Sequence, residues 1–269
     1  MRASYADAVA AITAPPTEHL LAGCATLQAL GRRPRPAPPE EIAFTEFAYY
    51  LVQTHAYEAV GLAILESMRR SALDASMRDT FVAQLGDERR HVEVYEQALI
   101  RLVPAPLRGA LAVDARAITT AVGGGSLAEQ VVVSFCVLES LAMGIFGARQ
   151  RCYPDSGIAR VDRLLLEDET VHQRVGVALV ARMVEDGLVT YADVIDMVEA
   201  GAGRVARLLR PRYLLERFDL ADDPGGERRL LDAGLVREQR VITQRAVRNA
   251  LRSVRRAAID SLWAGARAS

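Results

Sequence analysis

Two segments of this chain, Asp87-Glu88-Arg89-Arg90-His91 and Asp168-Glu169-Thr170-Val171-His172, repeat one pattern, acid-acid-x-x-His, 81 residues apart. A further glutamate precedes each by the same interval. Glu58 stands 30 residues before Glu88 and Glu139 stands 30 before Glu169, inside the apolar runs "THAYEAVGLAIL" and "SFCVLESLAMGIF". Helix geometry turns these intervals into a constraint on the fold. Residues three apart share a helix face, so Glu88 projects with His91 and Glu169 with His172. From Glu139 the chain climbs about 12 residues, turns in "CYPDSG", and returns about 12 residues to Glu169. At about 1.5 Å per residue each leg is roughly 18 Å, which puts both side chains at one level of a helical hairpin. Glu58 and Glu88 balance about a turn near residue 70 in the same way. Four carboxylates and two imidazoles at one height can hold two divalent metals, and the metals offset the cost of burying four like charges.

The rest of the chain reads as helix. Apolar residues recur at spacings of three and four over 40–69, 74–102, 126–151, 157–186 and 190–210. The breaks carry turn chemistry, "VPAP" at 103–106, "GGGS" at 123–126 and "DG" at 186–187. Ser126 with Glu129 predicts a capping box opening the helix of Glu139. The expected class is all-α: two helical hairpins, 40–102 and 126–186, with extra helices at both ends. Three regions follow: an N-terminal helical extension over 1–39, a di-metal bundle over 40–186, and an Arg-rich extension over 187–269 packed on the bundle.

Composition narrows the chemistry. All 33 basic residues are arginine, so lysine Schiff-base catalysis is impossible. Three cysteines, Cys24, Cys136 and Cys152, form no CxxC pair, which argues against a disulfide scaffold or a cysteine-ligated metal. Net charge of −1 argues against a protein built wholly around nucleic acid or a membrane surface. The N-terminus shows no signal-peptide core, and no run reaches 18 uninterrupted apolar residues, so the expected location is the cytoplasm, with no membrane partner.

Glu58, Glu88-Arg-Arg-His91, Glu139 and Glu169-Thr-Val-His172 together resemble the ligand set of the ferritin-like di-iron carboxylate proteins, over residues 40–186. The resemblance implies a ferritin-like four-helix bundle. It assigns Glu58 and Glu139 as terminal ligands, Glu88 and Glu169 as bridging ligands, and His91 and His172 as one imidazole per metal. The implied cofactor is two iron ions, with manganese as the alternative, and O₂ as co-substrate. The implied activity is that of an O₂-dependent oxidoreductase, an oxygenase or oxidase. It would hydroxylate, N-oxygenate or oxidatively cleave a small organic molecule, with an external electron donor because no flavin or nicotinamide motif is present. The rhythm of the second hairpin is similar to that of aldehyde-deformylating oxygenases and di-iron hydroxylases.

Other members fit less well. Rubrerythrins carry paired CxxC motifs, absent here. Manganese catalases usually place the two half-sites further apart, and ferritins are usually shorter, so a manganese catalase and a non-enzymatic iron-binding protein stand as alternatives. Around the ligands, Asp87 and Asp168 are placed to accept the second ring N–H of the opposite histidine. His55 shares the face of Glu58, as an additional ligand or a core histidine. Tyr95, four after His91, resembles in spacing the radical tyrosine of the ribonucleotide reductase small subunit, although a packed core tyrosine is the plainer reading. Cys136 reads as a small core residue. A substrate pocket is expected one turn from the ligands, at Gly61, Leu62, Phe135, Met143, Leu165 and Leu166. Residues 226–267 read as one long helix, with seven arginines against one acid over 237–256. That basic face resembles tRNA-modifying di-iron hydroxylases; a solvated face or a homodimer contact is the simpler account.

Overall fold

The computed structural model describes residues 5–12, 39–103, 105, 108, 116, 119–120, 123–152, 157–208 and 222–226, with the isolated positions 248, 249, 252 and 256. Among these every regular element is helical. In chain order they are α1 (Tyr5–Ala10), α2 (Pro39–Arg70), α3 (Ala75–Leu102), α4 (Leu127–Val131), a π-helical segment (Val132–Leu138), α5 (Glu139–Cys152), α6 (Gly157–Glu185) and α7 (Tyr191–Leu208). The class is all-α, and the expected helix limits agree with these to within two residues. Most of the expected 226–267 helix, including Arg237, Arg240, Arg245 and Arg255, lies outside the described residues, as does most of 1–39.

Local chemistry sets the helix ends. The Asp74 side chain accepts from Met77 N at 2.8 Å and opens α3. Ser126 accepts from Glu129 N at 3.2 Å and opens α4. The Glu129 carboxylate does not close the expected reciprocal box; it accepts instead from Arg204 Nη2 on α7 at 2.6 Å, tying two helices together. Gly187 ends α6 at φ 71°, with Leu188 N bonded to Met183 O at 2.9 Å and Gly187 N to Val184 O at 3.0 Å. That is the paired Schellman closure, which needs a left-handed residue that glycine supplies without strain. Thr190 and Asp193 then cap α7 reciprocally.

α2 pairs with α3 and α5 with α6, giving two hairpins packed on each other through α3 and α6. Along each of the four chain segments the order is apolar, polar, apolar. One core layer holds Ile64, Met68, Phe81, Phe135 and Met183, with the Phe81 and Phe135 rings stacked at 6.3 Å. The other holds Leu51, Tyr95, Phe146, Ile158 and Leu165, with Tyr95 and Phe146 stacked at 6.4 Å. Each such side chain, fully buried, contributes on the order of 1.5–3 kcal/mol. Glu58, Glu88, His91, Glu169 and His172 fall between the two layers in sequence and are buried, while the half-buried Glu139 follows Val137 and precedes Leu141 of the first layer and Phe146 of the second.

Two glycines press the π-helical segment into place. A Cβ on Gly176 of α6 would stand 2.0 Å from Phe135 Cβ, and one on Gly201 of α7 would stand 2.7 Å from Val133 Cγ2. Both neighbouring helices therefore approach the segment more closely than any side chain would permit. The wider π turn shifts the angular register of everything after it, beginning with Glu139. Leu127–Gly147 is apolar enough by length and composition to cross a membrane, with mean hydropathy 1.7, but 67% of that window is buried inside the protein and it carries Glu139.

α1 lies across α6 and α3 at the far end of the hairpins. Ala8, Val9 and Ile12 join the second core layer. Arg101 Nη1 donates to Val9 O at 2.9 Å, satisfying a carbonyl at the end of α1. Gly157 lets the chain after α1 cross the start of α6, since a Cβ there would meet Ala11 O at 2.1 Å.

Candidate metal centre

Four segments deliver the six expected ligands to one place. Glu58 comes from α2, Glu88 and His91 from α3, Glu139 from the first turn of α5, and Glu169 and His172 from α6. Their donor atoms form two overlapping groups, Glu58–His91–Glu169 and Glu88–Glu139–Glu169–His172, each with all atoms within 4.8 Å of one another.

The distances show how the two groups join. Glu88 turns Oε1 to His172 Nδ1 at 3.3 Å and Oε2 to His91 Nδ1 at 3.8 Å. Glu169 turns Oε1 to His91 Nδ1 at 3.3 Å and Oε2 to His172 Nδ1 at 3.1 Å. Each of these carboxylates thus offers one oxygen to either imidazole. Glu58 lies 3.5 Å from His91 Nδ1, and Glu139 lies 3.9 Å from His172 Nδ1. The imidazole rings stand 5.9 Å apart.

The outer ring nitrogens are held in a crossed arrangement. His91 Nε2 is 3.3 Å from Asp168 Oδ2, and His172 Nε2 is 3.1 Å from Asp87 Oδ2. Each aspartate therefore supports the histidine of the opposite hairpin, fixing Nε2 as the protonated nitrogen and leaving Nδ1 facing inward. His91 Nδ1, fully buried, has no hydrogen-bond partner. Such an orphaned nitrogen, beside carboxylate oxygens and held in the correct tautomer, fits a divalent metal.

Electrostatics follow from burial and pairing. Burial, with the Glu169 and Glu88 charges adding to it, pushes the Glu58 carboxyl up to about 8. Burial also raises Glu139 well above the usual range, reinforced by Glu169. Burial opposes ionisation of Glu169 as well, but Glu139, His172 and His91 beside it outweigh burial and hold that carboxylate well below its usual range. Burial pulls the His172 imidazole down, yet hydrogen bonds to Asp87, Glu169 and Glu88 override this and push it up to about 12. His91 is raised in the same way, against burial, by Asp168, Glu169 and Glu58. Without metal, the layer keeps protons on the groups that a metal needs bare.

Two residues here carried no sequence signal or only a weak one. Tyr5 on α1 donates its hydroxyl to Asp168 Oδ2 at 2.7 Å, and its ring lies 6.2 Å from that of His91. Nothing in the sequence links position 5 to position 168. Gln84, one turn before Glu88, donates Nε2 to Glu139 Oε1 at 3.1 Å, and the four-residue spacing was the one available clue. On the other side Asp87 pairs with the exposed Arg90.

The remaining expected residues are distributed as follows. Tyr95 is fully buried, with its hydroxyl donated to Asp162 Oδ1 at 2.8 Å rather than to a ligand. His55 lies outside both donor groups, and burial lowers its basicity against the opposing charge of Glu96. Cys136 is buried in the core. A cavity of about 60 Å³ adjoins Glu58, Glu88, Glu139 and Glu169. Gly61 and Phe135 line it; Leu62, Met143, Leu165 and Leu166 do not. Leu165 packs in the second core layer, and the Met143 sulfur lies 3.7 Å from Thr170 Oγ1. Comparison with family models, curated protein sequences and solved structures finds no match to this chain.

Proposed function

We propose that this protein is a non-haem di-iron enzyme of the ferritin-like kind, which activates O₂ to oxidise a small organic substrate by hydroxylation, N-oxygenation or oxidative cleavage. The observation that carries the reading is the sharing of Glu88 and Glu169, each with one oxygen toward His91 and the other toward His172. A single-metal site has no use for two carboxylates disposed in this way; a pair of metals does. Glu58 with His91 would hold one ion and Glu139 with His172 the other, while Asp168 and Asp87 keep each imidazole in the Nδ1-binding tautomer. Two ferrous ions would supply the electrons for O₂ reduction, and a partner protein or small reductant would restore them. The two-hairpin arrangement with ligands midway between apolar layers supports the ferritin-like assignment. The mainly apolar cavity against the carboxylates favours an organic substrate over metal storage, because storage needs no such space.

Elemental analysis of desalted protein beside the Glu88→Ala and His172→Ala variants tests the reading. Two irons per chain, lost in both variants, with O₂ consumed by the reduced form, is the expected result. Manganese at that stoichiometry would move the activity to peroxide chemistry, and no transition metal after anaerobic reconstitution would refute it.

A further inference from the structure

The cavity beside the carboxylates has a chemistry of its own. Its walls are chiefly apolar, from Val60, Leu65, Phe135 and Ile145 among others. Besides the glutamates, Thr54 and Tyr57, two polar atoms without a hydrogen-bond partner interrupt them. Gln84 Oε1 and Ser134 Oγ are both fully buried, both belong to residues that line the cavity, and neither has a hydrogen-bond partner. The amide of Gln84 is oriented by its bond to Glu139, which commits Nε2 as donor and leaves Oε1 as a bare acceptor. An unsatisfied buried polar atom is costly, and two beside one space are a pattern that a bound molecule would complete.

We infer, building on the di-metal reading above, that this cavity binds a small neutral molecule, or the end of one, with an apolar body and one hydroxyl that donates to Gln84 Oε1 and accepts from the Ser134 hydroxyl. The volume of about 60 Å³ sets the size, roughly four or five non-hydrogen atoms. Charge sets the rest. The ionisable lining groups are four glutamates and Tyr57, and among the described residues no arginine lines the cavity, so an anionic group away from the metals would find no cationic partner there. A purely apolar guest would leave both polar atoms unsatisfied. Gly61 keeps the space open against the centre, since a Cβ there would come to 3.5 Å from Glu88 Oε2, an ordinary contact that helix α2 can accommodate.

The test uses the full chain loaded with cobalt(II), with metal content measured on the same samples. Binding of 1-butanol, n-pentane and butyrate is followed by chemical-shift changes of labelled methyl groups. The expected order is 1-butanol tighter than n-pentane, with butyrate held only through its carboxylate at the metals and so unaffected by Ser134→Ala. Ser134→Ala should weaken 1-butanol about 3- to 10-fold, the loss expected of one neutral hydrogen bond, and leave n-pentane within about 2-fold. Gly61→Ala, which narrows the space without touching either polar atom, should weaken 1-butanol and n-pentane alike. Equal binding of 1-butanol and n-pentane, a uniform loss in Ser134→Ala, or no effect of Gly61→Ala would each overturn the inference. Two cobalt ions per chain with no 1-butanol bound would overturn it while leaving the metal reading intact. No cobalt bound would overturn both.

Discussion

Loading the centre should expel about two protons at pH 7 from Glu58 and His172, with Glu139 and His91 adding to that release. In the metal-free layer the Glu58 carboxyl, at about 8, is roughly nine-tenths protonated at that pH, and Glu139 is raised well above its usual range. His172, at about 12, carries its proton fully, and His91 is raised likewise. Each of these four groups must lose one proton to ligate, because a metal takes the carboxylate and the neutral imidazole. The imidazoles lose the Nδ1 proton and keep Nε2–H on the aspartates. The assay is calorimetric titration of apoprotein with cobalt(II) in buffers of different ionisation enthalpy, the slope giving protons released. A value of two or more for two metals is expected, falling by about one in Glu58→Gln. A release below two would refute the protonation pattern, even if two metals bind. The same shifts fix how the apoprotein responds to pH. From the ordinary carboxyl range up to about pH 8, the folded chain holds a Glu58 proton that the unfolded chain has lost, so stability falls as pH rises. The slope is at most about 1.4 kcal/mol per unit for one such group. The two histidines add to that fall above the ordinary imidazole range, again because the folded form keeps the proton. Glu169, Asp87 and Asp168 are lowered, so their contribution is lost as pH falls below the usual carboxyl range. Apoprotein melting should therefore peak near pH 5 and decline toward pH 9, with the decline relieved by metal.

Three further outcomes follow from the packing. Gly176→Ala, whose Cβ would meet Phe135 Cβ at 2.0 Å, should lower stability by about 1–3 kcal/mol or more in denaturant unfolding. Asp168→Asn should weaken the metal held by His91 by about 10- to 100-fold. Tyr5→Phe, one bond further out, should weaken it less than about 10-fold, both read by cobalt(II) titration with the His172 position as internal reference. Arg204→Ala should cost less than about 1 kcal/mol, because its ion pair with Glu129 is half-exposed to solvent.

The repeated acid-acid-x-x-His segments and the 30-residue offsets made the six donors legible before any coordinates, because helix rise converts a residue count into a height. The helix limits were legible for the same reason that their caps were: Asp74, Ser126, Gly187 and Thr190 act on neighbours within a few residues. What escaped was everything set by distant packing. The π-helical turn before Glu139 depends on two glycines 41 and 68 residues away from Phe135 and Val133, Gly176 and Gly201, and the run "VVVSFCVL" gives no hint of it. Periodicity chose Leu62, Met143 and Leu165 along with Gly61 and Phe135 as pocket residues, but which turn faces the cavity is decided by the angle at which helices cross. Glu129 was legible as a cap partner, yet Arg204, 75 residues later, is its partner in the fold.

The two half-sites match in the atoms they would offer to metals and diverge one bond further out. Inside, each hairpin gives a lone glutamate, a shared glutamate and a histidine, and each histidine leans on an aspartate from the other hairpin. Outside, Asp168 takes a neutral hydroxyl from the part-buried Tyr5, while Asp87 takes the exposed guanidinium of Arg90. The two supporting carboxylates therefore lean on different partners, a phenol on one side and a guanidinium on the other. The cavity adds to the imbalance. It is lined by Glu58, Glu88, Glu139 and Glu169 but by neither histidine, and of the two lining residues with unpartnered polar atoms, Gln84 and Ser134, the first is bonded to Glu139. A centre whose candidate ligands repeat at 81 residues would therefore present two chemically different metal positions. Sequential rather than simultaneous filling in the cobalt(II) titration is the expected sign of that difference, and in Tyr5→Phe the gap between the two steps should change.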